Sequence, residues 1–287
     1  MTSAGVGAPV VPVEDRGDDP SLAAALAEGA GRVLLALRDR AGTGGVPLEG
    51  KLLGAAGDAA AQAWLAEALA EHRPADAILS EEAKDDPARL DAGRVWIVDP
   101  LDGTREFAEI DPDGTRRTDF AVHVALWVRG ELAAGAVALP GRALVFSSAT
   151  VARVGDEGVN EVLAGTRPLR VAASRTRPPA AVLRMAERPD VELVPLGSNG
   201  VKVIAVVEGT ADVYLHAGGQ YEWDSAAPVA VAHAAGLAAT RLDGSAIEYN
   251  KPDPWSPDLV VCHPALVAHV RRLLADAGPD DAPGAPA

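Results

Sequence analysis

One cysteine, Cys262, stands in a chain of 287 residues. A lone thiol excludes an intrachain disulfide and a cysteine-based zinc site. Positive charge is also short, since Lys+Arg 26 against Asp+Glu 41 leaves a net charge of −15. That balance disfavours a nucleic-acid polymer or an anionic membrane as partner. A small anion remains allowed, because bound cations reverse a local field; a polyanionic ligand therefore points to metal ions. No run reaches the roughly 18 apolar residues of a membrane helix. The N-terminus "MTSAGVGAPVVPVEDRGDDP" lacks the basic start and apolar run of a signal peptide, so a cytoplasmic protein is expected. There is no Gly-x-x-x-x-Gly-Lys-Ser/Thr, which removes support for a P-loop NTPase.

Apolar residues are plentiful, at 48%, and supply a core for one large domain or two packed halves. Gly/Pro/Asp-rich ends, 1–18 and 277–287, are expected to be disordered. Between them the pattern predicts a helix over Ser21–Arg40, capped by Ser21, and another over Asp58–His72 with Asp58 at its N-terminal end. Short strands follow at Ala77–Leu79 and Val95–Val98, then a meander from Phe120 broken at Arg129-Gly130 and Pro140-Gly141. The pattern weakens from Gly155 to Pro168. This divides the chain into halves 19–155 and 156–276, the second alternating strand and helix.

Two acidic turns share a motif. Asp99-Pro-Leu-Asp-Gly-Thr104 follows the strand "VWIV", and Pro100 is expected to fix a turn presenting Asp99, Asp102 and the Leu101 carbonyl. Such hard oxygen donors suit Mg²⁺, and Gly103 and Thr104 would open a helix whose N–H groups face a phosphate. The same residues read equally well as a turn with solvated aspartates. Asp111-Pro-Asp-Gly-Thr115 lacks the intervening residue and a strong preceding strand, and reads as a solvated loop. "AILSEEAKDD" brings Glu81 and Glu82 to a strand end, and Asp224 opens a helix in "EWDSAAP", where a cap is the plain reading.

"LSEE", "WIVDPLDGTREF" and "EWDSAAP", in this order, resemble the lithium-sensitive, Mg²⁺-dependent phosphomonoesterases of the inositol monophosphatase and fructose-1,6-bisphosphatase superfamily. Within it the chain looks most like actinobacterial CysQ-type 3′-phosphoadenosine-5′-phosphate (PAP) phosphatases, over nearly all of residues 21–275. The resemblance implies an α/β (α+β) fold, a five-layer αβαβα sandwich, and allows a homodimer. It implies two to three Mg²⁺ ions held by Glu81, Asp99, the Leu101 carbonyl, Asp102 and Asp224, with Glu82 behind Glu81. Thr104 and Asp58 match the pair that orients the attacking water. The substrate phosphate would meet Asp102, Gly103, Thr104 and Asp224, and Ser174, Arg175, Ser198 and Lys202 match nucleotide-contacting positions. Ala217 stands where animal inositol monophosphatases have a substrate-binding glutamate, and His216 where enterobacterial enzymes have an arginine. The implied activity is release of the 3′-phosphate of PAP, in sulfate assimilation. Alternatives are a phosphatase of inositol 1-phosphate or fructose 1,6-bisphosphate, and a non-catalytic metal- or nucleotide-binding relative.

Overall fold

The structure, a computed structural model, describes residues 17–41 and 48–278, so the disorder expected at the two ends falls almost wholly outside the described residues. Helix α1 (Asp19–Ala41) is capped by Asp18 rather than Ser21, because the Asp18 carboxylate accepts the Ser21 N–H at 2.8 Å. Helix α2 spans Gly50–His72, so Asp58 lies inside it and not at its start. The glycines that weaken the early part of α2 as a helix are packing requirements. A Cβ on Gly54 would lie 2.6 Å from the Thr104 methyl, so only glycine lets the helix pass that close.

The first sheet holds β1 (Ala77–Ser80), β2 (Arg94–Asp102), β3 (Ala121–Val128), β4 (Glu131–Leu139) and β5 (Leu144–Ser147), in that spatial order. β1 is parallel to β2, and the expected meander continues antiparallel from β2 to β5. A short helix, α3 (Thr104–Ala108), leaves the end of β2. After α4 (Val159–Leu163) come β6 (Leu169–Ser174), α5 (Ala180–Met185), β7 (Val191–Leu196), α6 (Asn199–Val207), β8 (Val213–Tyr221), α7 (Glu222–Ala234), β9 (Ala238–Thr240), β10 (Trp255–Cys262) and α8 (Val267–Ala277). Their strands form a second sheet ordered β7-β6-β8-β10-β9, with β6 parallel to both neighbours.

Alternation along the strands explains the layering, because successive side chains leave opposite faces of a sheet. Trp96 and Val98 of β2 pack with Leu26 and Leu34 of α1 and Leu65 and Leu69 of α2. Val95 and Ile97, on the other face, meet Val201 and Ile204 of α6 and Ala226 and Val231 of α7. The far sides of α6 and α7 place Val203, Val206 and Val229 against Tyr214, Leu259 and Val261 of the second sheet. That sheet's outer face buries Val171, Val213 and Leu215 under Val182 and Met185 of α5 and Val270 and Leu273 of α8. The result is five layers, αβαβα. Helix α1 has the length and composition of a membrane span, but half of that stretch is buried, its leucines packed in the first core.

Candidate active site

Strand β2 does not stop at Val98; it runs through Asp99-Pro-Leu-Asp102 with a bulge. Asp99 pairs with His123 and Asp102 with Ala121, so three steps on β2 match two on β3. In a regular strand residues i and i+3 point to opposite faces, and one extra residue restores a common side. The bulge, rather than a turn, is what lets Asp99 and Asp102 converge. Pro100 fits there because it has no N–H for the ladder to lose.

Asp224, in the first turn of α7, completes the cluster. One oxygen from each of Asp99, Asp102 and Asp224 lies within 4.8 Å of the others, with both β2 carboxylates buried. Asp224 also accepts the Tyr221 N–H at 2.6 Å. With two oxygens it caps its helix and joins the cluster at once. Glu81 lies on the turn after β1, outside this tight set. Its carboxyl is still pushed up to about 7, by burial and then by the Asp224 charge, and the charge of Glu82 bears on both Glu81 and Asp58. Asp58, on α2, accepts from the Thr104 hydroxyl at 3.2 Å and is raised to about 6 by burial and by Glu82. The same hydroxyl lies 3.2 Å from the Leu101 carbonyl.

Burial and mutual repulsion dominate the cluster. Asp224 is raised to about 6 by burial and by Asp102, and Asp99 stands well above the ordinary range through burial and Glu81. Asp99 Oδ1 accepts the Leu101 N–H at 3.0 Å, but its buried Oδ2 has no hydrogen-bond partner, His123 Nδ1 lying 3.9 Å away. An orphaned carboxylate oxygen among like charges fits a hard divalent cation, which would satisfy it and offset the repulsion.

Asp102 alone is held low. Burial opposes its charge, but His123, the Ser198 hydroxyl and the Gly200 N–H outweigh it. Ser198 donates to Asp102 Oδ2 at 2.5 Å and Gly200 at 2.8 Å, and His123 Nε2 lies 3.2 Å away. His123 Nδ1 sits 3.1 Å from the Trp223 carbonyl, which can only accept, so Nδ1 carries a proton. Asp102 then favours a second proton on Nε2, and against burial it raises the imidazole above its ordinary value. Nothing flagged His123 beforehand except that it is the one polar residue in the apolar run Phe120–Val128.

Residues matched to nucleotide contacts divide sharply. Ser198, at φ +47°, spends its hydroxyl on Asp102 and accepts the Val201 N–H at 3.1 Å, capping α6. Lys202 is 5% exposed, its ammonium 5.2 Å from the centre of the Tyr214 ring and in no ion pair among the described residues. Arg175 bonds Glu106 at 2.9 Å and Glu109 at 2.7 Å. Ser174 accepts the Arg177 N–H at 3.2 Å. His216 Nε2–H donates to the Gly219 carbonyl at 2.9 Å, and His216 lines a cavity of about 400 Å³ with Val182, Leu215 and Leu274, away from the carboxylates. Gly103 is left-handed, φ +90°, at the start of α3. The second motif copy is a closed turn in which Asp111 N–H donates to Thr115 O at 2.8 Å, and Asp113 is exposed.

The model of the inositol monophosphatase family matches residues 22–276 of the chain. A 3′-phosphoadenosine 5′-phosphate phosphatase of Mycobacterium leprae is 47% identical over 270 residues, which are 89% of this chain and 94% of that protein. The 3′(2′),5′-bisphosphate nucleotidase CysQ of Escherichia coli K12 is 32% identical over 68% of this chain and 78% of its own length. Among solved structures, CysQ of Bacteroides thetaiotaomicron superposes with a TM-score of 0.66 at 27% identity, covering 83% of this chain and 94% of that one.

Proposed function

The chain belongs to the inositol monophosphatase family and is a phosphomonoesterase, and we propose that it removes the 3′-phosphate of PAP with Mg²⁺ as its metal. The observation that carries the metal reading is the buried trio Asp99, Asp102 and Asp224 with the orphaned Asp99 Oδ2. In this reading two to three ions are held by Glu81, Asp99, the Leu101 carbonyl, Asp102 and Asp224. When bound, such ions activate water and offset charge on the phosphoryl group. Thr104 and Asp58, hydrogen-bonded to each other, orient the water. Ser198, Gly200 and His123 keep Asp102 ionised and aimed by engaging its Oδ2 side. The 47% identity to the mycobacterial PAP phosphatase supports the substrate, as does a buried, unpaired Lys202 suited to a second phosphate. The setting is then cytoplasmic sulfate assimilation, and Li⁺ inhibits.

A phosphate-release panel tests this, with PAP, 3′-phosphoadenylyl sulfate, fructose 1,6-bisphosphate and inositol 1-phosphate, each with Mg²⁺ and with excess EDTA. The expected result is PAP foremost in kcat/KM, turnover abolished by EDTA and reduced by Li⁺. Full turnover in EDTA sinks the metal reading; a clear preference for inositol 1-phosphate sinks the substrate reading.

A further inference from the structure

We propose that Asp119, clamped by Arg117, is a positioning residue that acts on the acidic cluster indirectly, by fixing the turn whose donors hold Asp102. This rests on the metal reading above.

Asp119 lies on the connection between β2 and β3 and is buried. Arg117 grips it with two bonds, Nε to Oδ1 at 2.8 Å and Nη2 to Oδ2 at 2.6 Å. Such a fork fixes the orientation of a carboxylate as well as its place. Arg117 is itself held. Its Nη1 bonds Asp111 at 3.2 Å, and its carbonyl accepts from the buried Arg38 at 2.9 Å. The pair therefore offers a rigid acceptor where a lone aspartate would offer a mobile one.

What it accepts comes from the other half of the chain. At the end of β7 the Leu196 carbonyl accepts the Arg175 N–H at 3.0 Å. One residue on, the Gly197 N–H leaves the sheet and donates to Asp119 Oδ2 at 2.8 Å, in a buried bond. Packing holds the turn from two more sides. A Cβ on Gly197 would lie 2.4 Å from Glu106 Cγ and 2.9 Å from the Asp119 carbonyl oxygen, so only glycine lets the backbone pass there. The same carbonyl oxygen would lie 3.3 Å from a Cβ on Gly103. Asp119 thus stands between two glycines, Gly103 just after Asp102 and Gly197 just before Ser198.

The consequence falls on Ser198. At φ +47° it occupies the left-handed region, which persists in a residue with a Cβ only where the surroundings hold it. From there its hydroxyl and the Gly200 N–H both donate to Asp102 Oδ2, at 2.5 and 2.8 Å. Two donors on one oxygen set the rotation of that carboxylate. Without the Gly197 bond the turn is released, and both donors move with it.

The test is a calorimetric titration of the substrate-free full chain with Mg²⁺, with steady-state rates on PAP beside it. Asp119→Ala should weaken Mg²⁺ binding by about tenfold, the scale of one charge-assisted hydrogen bond. At saturating Mg²⁺ it should lower kcat for PAP by about tenfold and leave KM within about twofold. Asp119→Asn, which keeps an acceptor for Gly197, should recover most of both losses. Adding Ser198→Ala should cost less than the product of the two separate losses, because both act on Asp102 through one turn. Arg167→Ala is the control. It breaks a forked pair with Asp212 before β6, at the end of the strand away from Ser174, and should lower Tm with Mg²⁺ affinity unchanged. Should Asp119→Ala fail to fold, Arg117→Ala releases the clamp with the carboxylate in place, and should weaken Mg²⁺ binding by about threefold. Unchanged Mg²⁺ affinity in the variant that folds, an equal loss in Arg167→Ala, or losses that multiply in full with Ser198→Ala each overturn the assignment. A wild type that binds no Mg²⁺ overturns the metal reading itself.

Discussion

Asp102 and Asp113 occupy equivalent places in two Asp-Gly-Thr motifs, and their surroundings decide what each can do. Asp102 is buried and gripped by Ser198 and Gly200, whereas Asp113 is exposed and only accepts the Thr115 N–H at 2.9 Å. Asp102→Asn should cut kcat more than about 100-fold, by removing charge where a cation must sit. Asp113→Asn should stay within about threefold, and equal losses would show that both turns matter to the chemistry. The carboxylates also set a pH signature. Asp58 and Asp224 at about 6 and Glu81 at about 7 lie above their unfolded values, so the stability they contribute is present at low pH. It is lost as pH rises from about 4 through about 7, when they ionise against one another. Mg²⁺ should therefore raise Tm more at pH 8 than at pH 5.5, and an equal rise at both contradicts this. The converging aspartates were visible as a motif. The bulge that makes them converge was not, since strand parity depends on the pairing with His123 and Ala121. Nor were the partners of Arg175, which come from residues too distant in the chain for spacing to reveal.

At the scale of elements, most strands and helices followed from periodicity, and the misplacements share a cause. The start of α2 was read eight residues late, at Asp58 instead of Gly50, because glycines lower helix propensity. Packing against Thr104 overrides that preference. β2 was read short because Pro-Leu-Asp-Gly looks like a turn, while the ladder to β3 carries the strand to Asp102. The same logic makes a prediction for α6. A Cβ on Gly200 would lie 2.2 Å from His123 Nε2 and 3.0 Å from Val137, both in the packed first sheet. Gly200→Ala should push α6 outward, costing about 1–3 kcal/mol in a urea melt and lowering kcat as Asp102 loses its donors. An unchanged melt with full activity would mean that the helix yields freely.

For the whole molecule, a buried polar junction joins the halves. Arg89, 1% exposed, donates to Asp85, to Asn250 at 2.7 Å and to the Lys251 carbonyl at 2.9 Å, and Glu222 accepts the Asn250 and Lys251 N–H groups. Glu222 lies two residues before Asp224, so the junction steadies the start of α7. Arg89→Ala should lower stability by about 1–3 kcal/mol for the groups left unpaired, seen as a lower urea midpoint at unchanged m-value. The middle layer has another consequence. α6 and α7 follow the connection between Ser147 and Leu169, yet they pack on both sheets. Asp58, Glu81, Asp99, Asp102 and Thr104 thus precede that connection, while Ser198, Gly200 and Asp224 follow it. A genetic crossover between relatives within 148–168 cuts neither sheet. It would inherit Asp58, Glu81, Asp99 and Asp102 from one parent, and Asp224 with the Ser198 and Gly200 donors from the other. The seam where Val201, Ile204, Ala226 and Val231 meet Val95 and Ile97, and the Arg89 junction, must stay matched for such a recombinant to fold. The two sides of the acidic cluster could then be reshuffled by descent as separate inheritances.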